Sequence, residues 1–117
     1  MTDNINHPTH YTSRNIGYEC IILAKHQYFC AGNAIKYLWR HKDKGNPIED
    51  LKKARWYARK AATRRERTET AGRCGIILRK LIQSTTGLER IAWHGIRTSD
   101  WHKVIETLNR MIEEENE

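Results

Sequence analysis

The sequence predicts an all-α fold, a compact helical domain of about five helices, and three observations support this class. Between residues 31 and 40, apolar and polar residues separate onto opposite faces at helical spacing. A turn, KDKGNP at 42–47, carries residues that end one helix and begin another. The segment after Ser99 repeats apolar residues at near-heptad spacing. A chain of 117 residues has the size of one domain, here 1–117. A partner subunit could supply part of the core of so short a chain, and we therefore expect a homo-oligomer.

The first two helices are expected to form a hairpin. The first helix runs from Ile16 to Tyr28, and the second runs from Phe29 to about His41. The second helix presents an apolar face on one side. On the opposite side, polar and aromatic residues recur at i, i+3, i+4 and i+7, namely Asn33, Lys36, Tyr37 and Arg40. One face is therefore expected to pack, and the other to bind a ligand.

The third helix is expected to run from Pro47 to about Arg67. Gly45 can end the preceding helix, Asn46 can cap the next one, and Pro47 suits the first helical position. Small residues on the inward face permit close approach to another helix. These residues are Leu51, Ala54, Ala58 and Ala61.

The C-terminal half contains one ambiguous segment and one clear helix. A connector from Thr68 to Gly75 leads to the apolar run Ile76–Ile82, whose length fits a helix or a strand, with a helix preferred. Ser99 is the candidate N-cap of the last helix. The inward residues of that helix are Trp101, Val104, Ile105, Leu108, Met111 and Ile112.

The charge of the chain indicates an anionic partner. The net charge is +7, and the segment from Lys36 to Arg67 alone holds twelve Lys or Arg residues against four acids. Nucleotides, nucleic acid, other phosphorylated metabolites and acidic surfaces all fit such a charge, and so does a solvated basic face without a ligand. Three cysteines without a close pair favour a reducing compartment. The apolar runs are too short to span a bilayer, so we expect a cytoplasmic protein without a membrane partner.

The basic residues lie where they could bind phosphates. Because the chain has no GxxxxGK[ST] loop, side chains would have to provide the donors. Lys36 and Arg40 share a helix face with Asn33 and Tyr37, and Lys52 and Lys53 follow on the next helix. Tyr11 and Tyr37 are the candidate rings for stacking on a base, whereas Trp39 and Tyr57 are expected in the core.

Acids and histidines supply further candidates. Glu49 and Asp50 could bind Mg²⁺ together with substrate phosphates, and the helix dipole at a helix start explains the same pair equally well. His7 and His10 could act as general acid or base, or could bind phosphate.

Three blocks of the sequence resemble a known family. HPTHY at 7–11, GNAIKYLWRHKDKG at 32–45 and PIEDLKKARWYARK at 47–60 are similar to blocks of small phage and prophage proteins of unknown function or nucleotide kinase-like character. That family includes the podovirus nucleotide kinase that phosphorylates dGMP and dTMP. The resemblance implies a nucleotide-binding module at 1–60, and leaves 61–117 as a helical packing and assembly region. It also implies a host-cell cytoplasmic location.

The resemblance also implies a set of site residues and cofactors. It implies a nucleoside monophosphate kinase that lacks a Walker A loop, with a nucleoside triphosphate as phosphoryl donor and Mg²⁺ as cofactor. The resemblance implies that the matching residues are important, but it assigns no catalytic step. Our hypothesis for the substrate-binding residues is Tyr11, Asn33, Lys36, Tyr37, Arg40, Lys52 and Lys53. Our hypothesis for the catalytic residues is His7, His10 and Asp50, and for the metal-binding residues it is Glu49 and Asp50.

Three functions therefore remain open at this point. The leading interpretation is a nucleotide-binding protein that transfers a phosphoryl group. A second is a non-catalytic protein that sequesters a nucleotide or a nucleotide-derived signal. The third is a basic DNA- or RNA-binding protein that uses the helix from Lys52 to Arg67.

Overall fold

The computed structural model describes residues 14–43 and 45–116, and all of the regular structure in these ranges is helical. The six helices are α1 (Cys20–Ala24), α2 (Phe29–Arg40), α3 (Pro47–Arg64), α4 (Arg73–Ser84), α5 (Gly87–Arg97) and α6 (Trp101–Glu115). The all-α fold class is confirmed. The described ranges contain six helices where about five were expected, and the additional helix is α5.

The helices close into a ring around one core. Helix α1 packs on α2, α2 on α3, α3 on α6, α6 on α5, α5 on α4, and α4 again on α1. Trp39 of α2 and Trp93 of α5 are fully buried, and their rings meet edge to face with centroids 6.4 Å apart. The N-terminal and C-terminal halves therefore share a single core.

Helix α1 is much shorter than the expected segment from Ile16 to Tyr28. Gly17 has a φ of 83°, which a right-handed helix does not accept, and Glu19 is extended with a ψ of 150°. At the other end, a Cβ on Gly32 would lie 3.1 Å from the Ala24 carbonyl oxygen. The end of α1 and the start of α2 therefore form a close hairpin, which the sequence did predict.

Helix α3 starts as expected and ends early. Asn46 caps it, because its side chain accepts a hydrogen bond from the Glu49 amide at 3.1 Å, and Pro47 is the first helical residue. The helix stops at Arg64, and not near Arg67, because Arg65 adopts a left-handed conformation with a φ of 54°. The predicted small-residue face is fully buried: Leu51, Ala54, Ala58 and Ala61.

Glu66 explains why the chain turns inward after α3. Its carboxylate oxygen Oε1 accepts a hydrogen bond from the Ala31 amide at 2.7 Å, which satisfies a free N–H group in the first turn of α2. Its carbonyl oxygen accepts from the indole nitrogen of Trp101 at 2.7 Å. One buried residue thus joins the start of α2, the end of α3 and the start of α6.

The C-terminal half confirms one expectation and corrects another. The run Ile76–Ile82 lies within α4, so the preference for a helix is confirmed. The N-cap of α6 is Asp100, which accepts from the Lys103 amide at 3.1 Å, and not Ser99. Ser99 instead has a φ of 57° and its hydroxyl accepts from the Thr68 amide at 2.8 Å.

Helix α5 carries a glycine where a side chain would not fit. A Cβ on Gly95 would lie 2.9 Å from a methyl carbon of Val104, so α5 and α6 pack closely at this point. A glycine inside a helix lowers the helical propensity of the segment. The close packing of Gly95 against Val104, which favours glycine here, is seen only in the folded chain. Within the described ranges, no helix has the length and apolarity needed to cross a membrane.

Candidate functional site

Three cationic side chains surround the ring of Tyr37 where α2 packs on α3. The ammonium group of Lys36 lies 4.6 Å from the ring centroid, and the guanidinium carbon of Arg40 lies 4.9 Å from it. Lys53 of α3 is 5.5 Å away. The Tyr37 ring also stacks on Tyr57, with centroids 5.9 Å apart and an angle of 9° between the rings. We call these five residues the tyrosine–cation cluster.

The antiparallel arrangement of α2 and α3 brings the cluster together. Lys36, Tyr37 and Arg40 occupy one face of α2, as the spacing predicted, and Lys53 and Tyr57 lie one turn apart on α3. Each cation lies within the distance at which a ring attracts it. The ring thus helps to hold positive charges that would otherwise repel one another.

Asp50 fixes the orientation of Arg40. Both the Nε and Nη2 atoms of Arg40 lie 3.4 Å from Asp50 Oδ1, and the Asp50 side chain is only 5% exposed. The second carboxylate oxygen, Oδ2, is buried and has no hydrogen-bond partner among the described residues. A buried carboxylate oxygen without a partner is costly, and a ligand donor could satisfy it.

Trp56 is a ring that the sequence reasoning did not select. It is 53% exposed, and its ring meets Tyr57 edge to face at 5.0 Å. Tyr37, by contrast, is half-buried between Tyr57 and the cations. Trp56 is therefore the more exposed ring at this site. Its position among lysines, on the side of α3 opposite the small-residue face, was the available signal.

An open groove adjoins the cluster at the start of α3. It has a volume of about 440 Å³ and is lined by Asn46, Ile48, Glu49, Lys52, Lys53 and Trp56. Pockets of this size hold small ligands. Lys53 belongs to both the groove and the cluster, so the two features form one continuous surface.

Glu49 binds Lys53 and Asn46. Its Oε1 lies 3.0 Å from Lys53 Nζ, and its Oε2 accepts a hydrogen bond from the side-chain amide of Asn46 at 2.9 Å. The hydrogen bond to Glu49 raises the pKa of Lys53 above its ordinary value. Glu49 is more than half exposed on its side-chain surface, whereas Asp50 is buried against Arg40.

The two acids thus face different surroundings, and this bears on the predicted Mg²⁺ site. Within residues 14–43 and 45–116, no three His, Cys, Asp or Glu side chains gather as a metal site. Asp50 Oδ2 is nevertheless an oxygen of the type that Mg²⁺ prefers. One carboxylate fits an ion that takes its remaining ligands from substrate phosphates and water.

The remaining predicted residues are only partly placed. Asn33 lies on the expected face of α2, where its side-chain amide donates to the Phe29 carbonyl at 2.8 Å. Lys52 is exposed and lines the groove. His7, His10 and Tyr11 lie outside the described residues. Their predicted roles stay predictions.

A second charged group, which the sequence reasoning missed, lies behind the end of α2. Arg14 donates to the carbonyl oxygens of Trp39 at 2.9 Å and Leu38 at 3.1 Å, and it pairs with Glu89 of α5. Its guanidinium carbon lies 5.5 Å from the ring centroid of Trp93. Arg14 therefore caps the last carbonyls of α2 and joins them to the C-terminal half.

Glu89 is the centre of this buried group. It is 5% exposed, accepts from the Trp93 indole nitrogen at 3.1 Å, and lies 3.0 Å from Lys42 Nζ. Burial alone would raise the pKa of Glu89, but the charges of Arg14 and His41 and the hydrogen bonds from Lys42 and Trp93 outweigh burial and hold the pKa below its ordinary value of 4.5. Burial lowers the pKa of His41 below 6.5.

These shifts predict acid sensitivity in two ranges. Below about pH 6.5 the unfolded His41 binds its proton before the folded one does, so stability should begin to fall. Below about pH 4.5 the same holds for Glu89, and its stabilising charge is lost as the pH passes through the folded-state pKa. Urea unfolding of wild type and of Glu89→Gln from pH 7 to about pH 3.5 tests this. The variant should keep the decrease in stability below pH 6.5 and should lack the further decrease below pH 4.5 that Glu89 causes. Equal slopes below pH 4.5 in both proteins would contradict the assignment.

Comparison with known proteins gives one match. No curated protein and no solved structure matches the chain. Residues 5–59, which contain the tyrosine–cation cluster, Asp50 and Trp56, match the model of a family described as a protein of unknown function (DUF3310).

Proposed function

We propose that the chain binds a nucleotide, with the phosphates on the tyrosine–cation cluster and the base on Trp56. The observation that carries this proposal is the placement of three cations around the half-buried ring of Tyr37, beside the exposed ring of Trp56. Lys36, Arg40 and Lys53 can donate hydrogen bonds to phosphate oxygens without a glycine-rich loop, although Arg40 and Lys53 also pair with Asp50 and Glu49. Arg40 presents a planar fork that suits bidentate phosphate binding.

The groove supplies the rest of the nucleotide site. Its volume of about 440 Å³ and its contact with Trp56 suit a nucleoside. Stacking of a base on an aromatic ring contributes about 1–3 kcal/mol. Lys52 is exposed and lines the groove, where it can bind a second phosphate. Asn33 and Tyr11 are further candidate contacts from the sequence pattern.

The resemblance to nucleotide kinase-like phage proteins extends this proposal to phosphoryl transfer. An oxygen of a nucleoside monophosphate would attack the γ-phosphorus of a triphosphate, while the bond to the β–γ bridging oxygen breaks, and two diphosphates result. Such a reaction needs mainly positioning and charge neutralisation. Asp50 would hold Mg²⁺, which neutralises phosphate charge when bound, and His7 or His10 would hold the acceptor proton.

The binding step is tested by calorimetry with nucleoside mono- and triphosphates. Replacing Lys36 with glutamine should weaken binding by about 10-fold or more, because a charge-assisted hydrogen bond contributes about 1.5–3 kcal/mol. Lys80→Gln, which removes an exposed lysine on α4, is the matched control and should bind like wild type. Unchanged affinity in Lys36→Gln would remove this site.

Turnover separates the two nucleotide-based functions. Wild type is incubated with a monophosphate, a triphosphate and Mg²⁺, and diphosphates are measured by chromatography. Formation of both diphosphates supports the kinase. Tight binding without diphosphate formation supports the sequestering protein, which needs the same phosphate and base contacts but no second substrate.

A further inference from the structure

The outward face of α3 carries a row of aromatic and cationic side chains that extends beyond the nucleotide site. Trp56 and Phe29 both contact Tyr57, with ring centroids 5.0 Å and 6.0 Å away. Tyr28 precedes Phe29 at the start of α2. We call this surface the aromatic track, and it comprises Tyr28, Phe29, Trp56 and Tyr57 with the cations Lys53, Lys60 and Arg64.

The rings of the track are exposed to an unusual degree. Phe29 is 72% exposed, Tyr28 66% and Trp56 53%. The other large apolar residues with high exposure in the described ranges are single isoleucines, so all the strongly exposed rings share this face. Clustered exposed rings mark an interaction surface more often than isolated ones do.

The cations of the track follow one face of α3. Lys53, Lys60 and Arg64 lie on one face of α3 and span about 16 Å at 1.5 Å per residue. The Lys60 ammonium group lies 5.0 Å from the Trp56 ring centroid. From Leu51 to Arg65 the sequence contains no acid. Lys53 pairs with Glu49 and Arg64 pairs with Glu66 at the two ends of the track, so the three cations of the track outnumber the two acids beside them.

Open grooves lie at both ends of the track. The first is the groove beside Trp56 described above. The second, of about 360 Å³, lies at the other end of α3 and is lined by Tyr28, Arg64, Arg65, Glu66 and Arg67. A single nucleotide fills only one of these ends, so a longer ligand is needed to use both.

We infer that the aromatic track binds a short single strand of nucleic acid, of about four nucleotides, which is the lower end of known site sizes for single-strand binding domains. Lys53, Lys60 and Arg64 follow the phosphates, and the exposed rings stack on the bases. Duplex bases are stacked on each other and do not present faces to these rings. A mononucleotide site does not require Phe29, Lys60 or Tyr28, so this inference stands apart from the proposed function.

Binding of labelled oligothymidylates, measured by fluorescence anisotropy, tests the inference. The ligands are strands of one, four and eight nucleotides, an abasic four-unit strand, and an eight-base-pair duplex. The test variant is Phe29→Ala with Lys60→Gln. The matched control is Ile76→Ala with Lys80→Gln on α4. It also removes one exposed apolar residue and one exposed lysine, and both lie outside the tyrosine–cation cluster and the aromatic track.

The inference predicts a specific pattern. The four-nucleotide strand should bind at least about 10-fold tighter than the mononucleotide and than the abasic strand, and the test variant should weaken it by about 5-fold or more. Mononucleotide binding by that variant should not change, and the control should match wild type. Neutralising three phosphates predicts a slope of about −2 for log affinity against log salt.

A second measurement on wild type does not depend on any variant folding. Of the four tryptophans, only Trp56 is exposed, so its fluorescence should be quenched by the four-nucleotide strand and much less by the abasic one. Affinity independent of length, equal binding of the abasic strand, or equal loss in both double variants would overturn the inference. If the test variant converts a self-associated protein into monomers and leaves strand binding unchanged, the face binds a second copy of the chain, and the inference is overturned.

Discussion

Replacing Arg14 with alanine is expected to lower the free energy of unfolding by about 3–5 kcal/mol, the usual effect of removing one partner from a buried ion pair. The variant would leave the Glu89 carboxylate buried with Lys42 as its remaining full positive partner. It would also remove the side-chain donor to the Trp39 carbonyl and one of the donors to the Leu38 carbonyl at the end of α2. Urea unfolding at neutral pH, followed by circular dichroism, measures the loss.

Two further variants make this result specific. Arg97→Ala removes an exposed arginine of α5 and should change the free energy of unfolding by less than about 0.5 kcal/mol. The double variant Arg14→Ala with Glu89→Gln should be more stable than the sum of the single losses predicts, because the two residues share one interaction. Additive losses would show that Arg14 and Glu89 are not coupled in solution.

A chain that ends at Arg67 is expected not to fold, although it includes the whole segment that matches the family model. Twelve of the 24 buried hydrophobic residues in the described ranges lie at or after Cys74. Burial of one large apolar side chain contributes about 1.5–3 kcal/mol, and a domain is stable by only about 5–15 kcal/mol in total. Loss of half the core therefore exceeds the stability of the fold.

The truncated chain would also lose the contacts that shape α2 and α3. Trp101 would no longer bind the Glu66 carbonyl, and Glu89 would no longer pair with Arg14. We expect a spectrum of low helicity without a cooperative thermal transition. A chain that ends at Ile112 is the control, since it removes the exposed residues Glu113–Asn116 and should fold. Cooperative unfolding of the short chain would show that residues 1–67 form an independent domain.

The candidate site was only partly predictable from sequence. Lys36, Tyr37 and Arg40 share a face because helical spacing is a local property, and the structure confirms that face. Their meeting with Lys53 and Asp50 follows from the turn at 42–47, which the sequence also signals. The exposure of Trp56 and the placement of Tyr37 against Tyr57 depend on how α2 and α3 pack, so helical spacing alone did not identify Trp56 as the more exposed ring.

The sequence by itself determined the all-α class, the Asn46 cap and Pro47 start of α3, its buried small-residue face, and the basic character of the α2–α3 surface. These features depend on residues within one or two helical turns of each other. Only the tertiary structure decided the early ends of α1 and α3, the cap formed by Asp100, the presence of α5, and the buried pair of Arg14 and Glu89. Those features depend on backbone conformations at single residues, or on contacts between residues far apart in the chain, and neither is encoded in local periodicity.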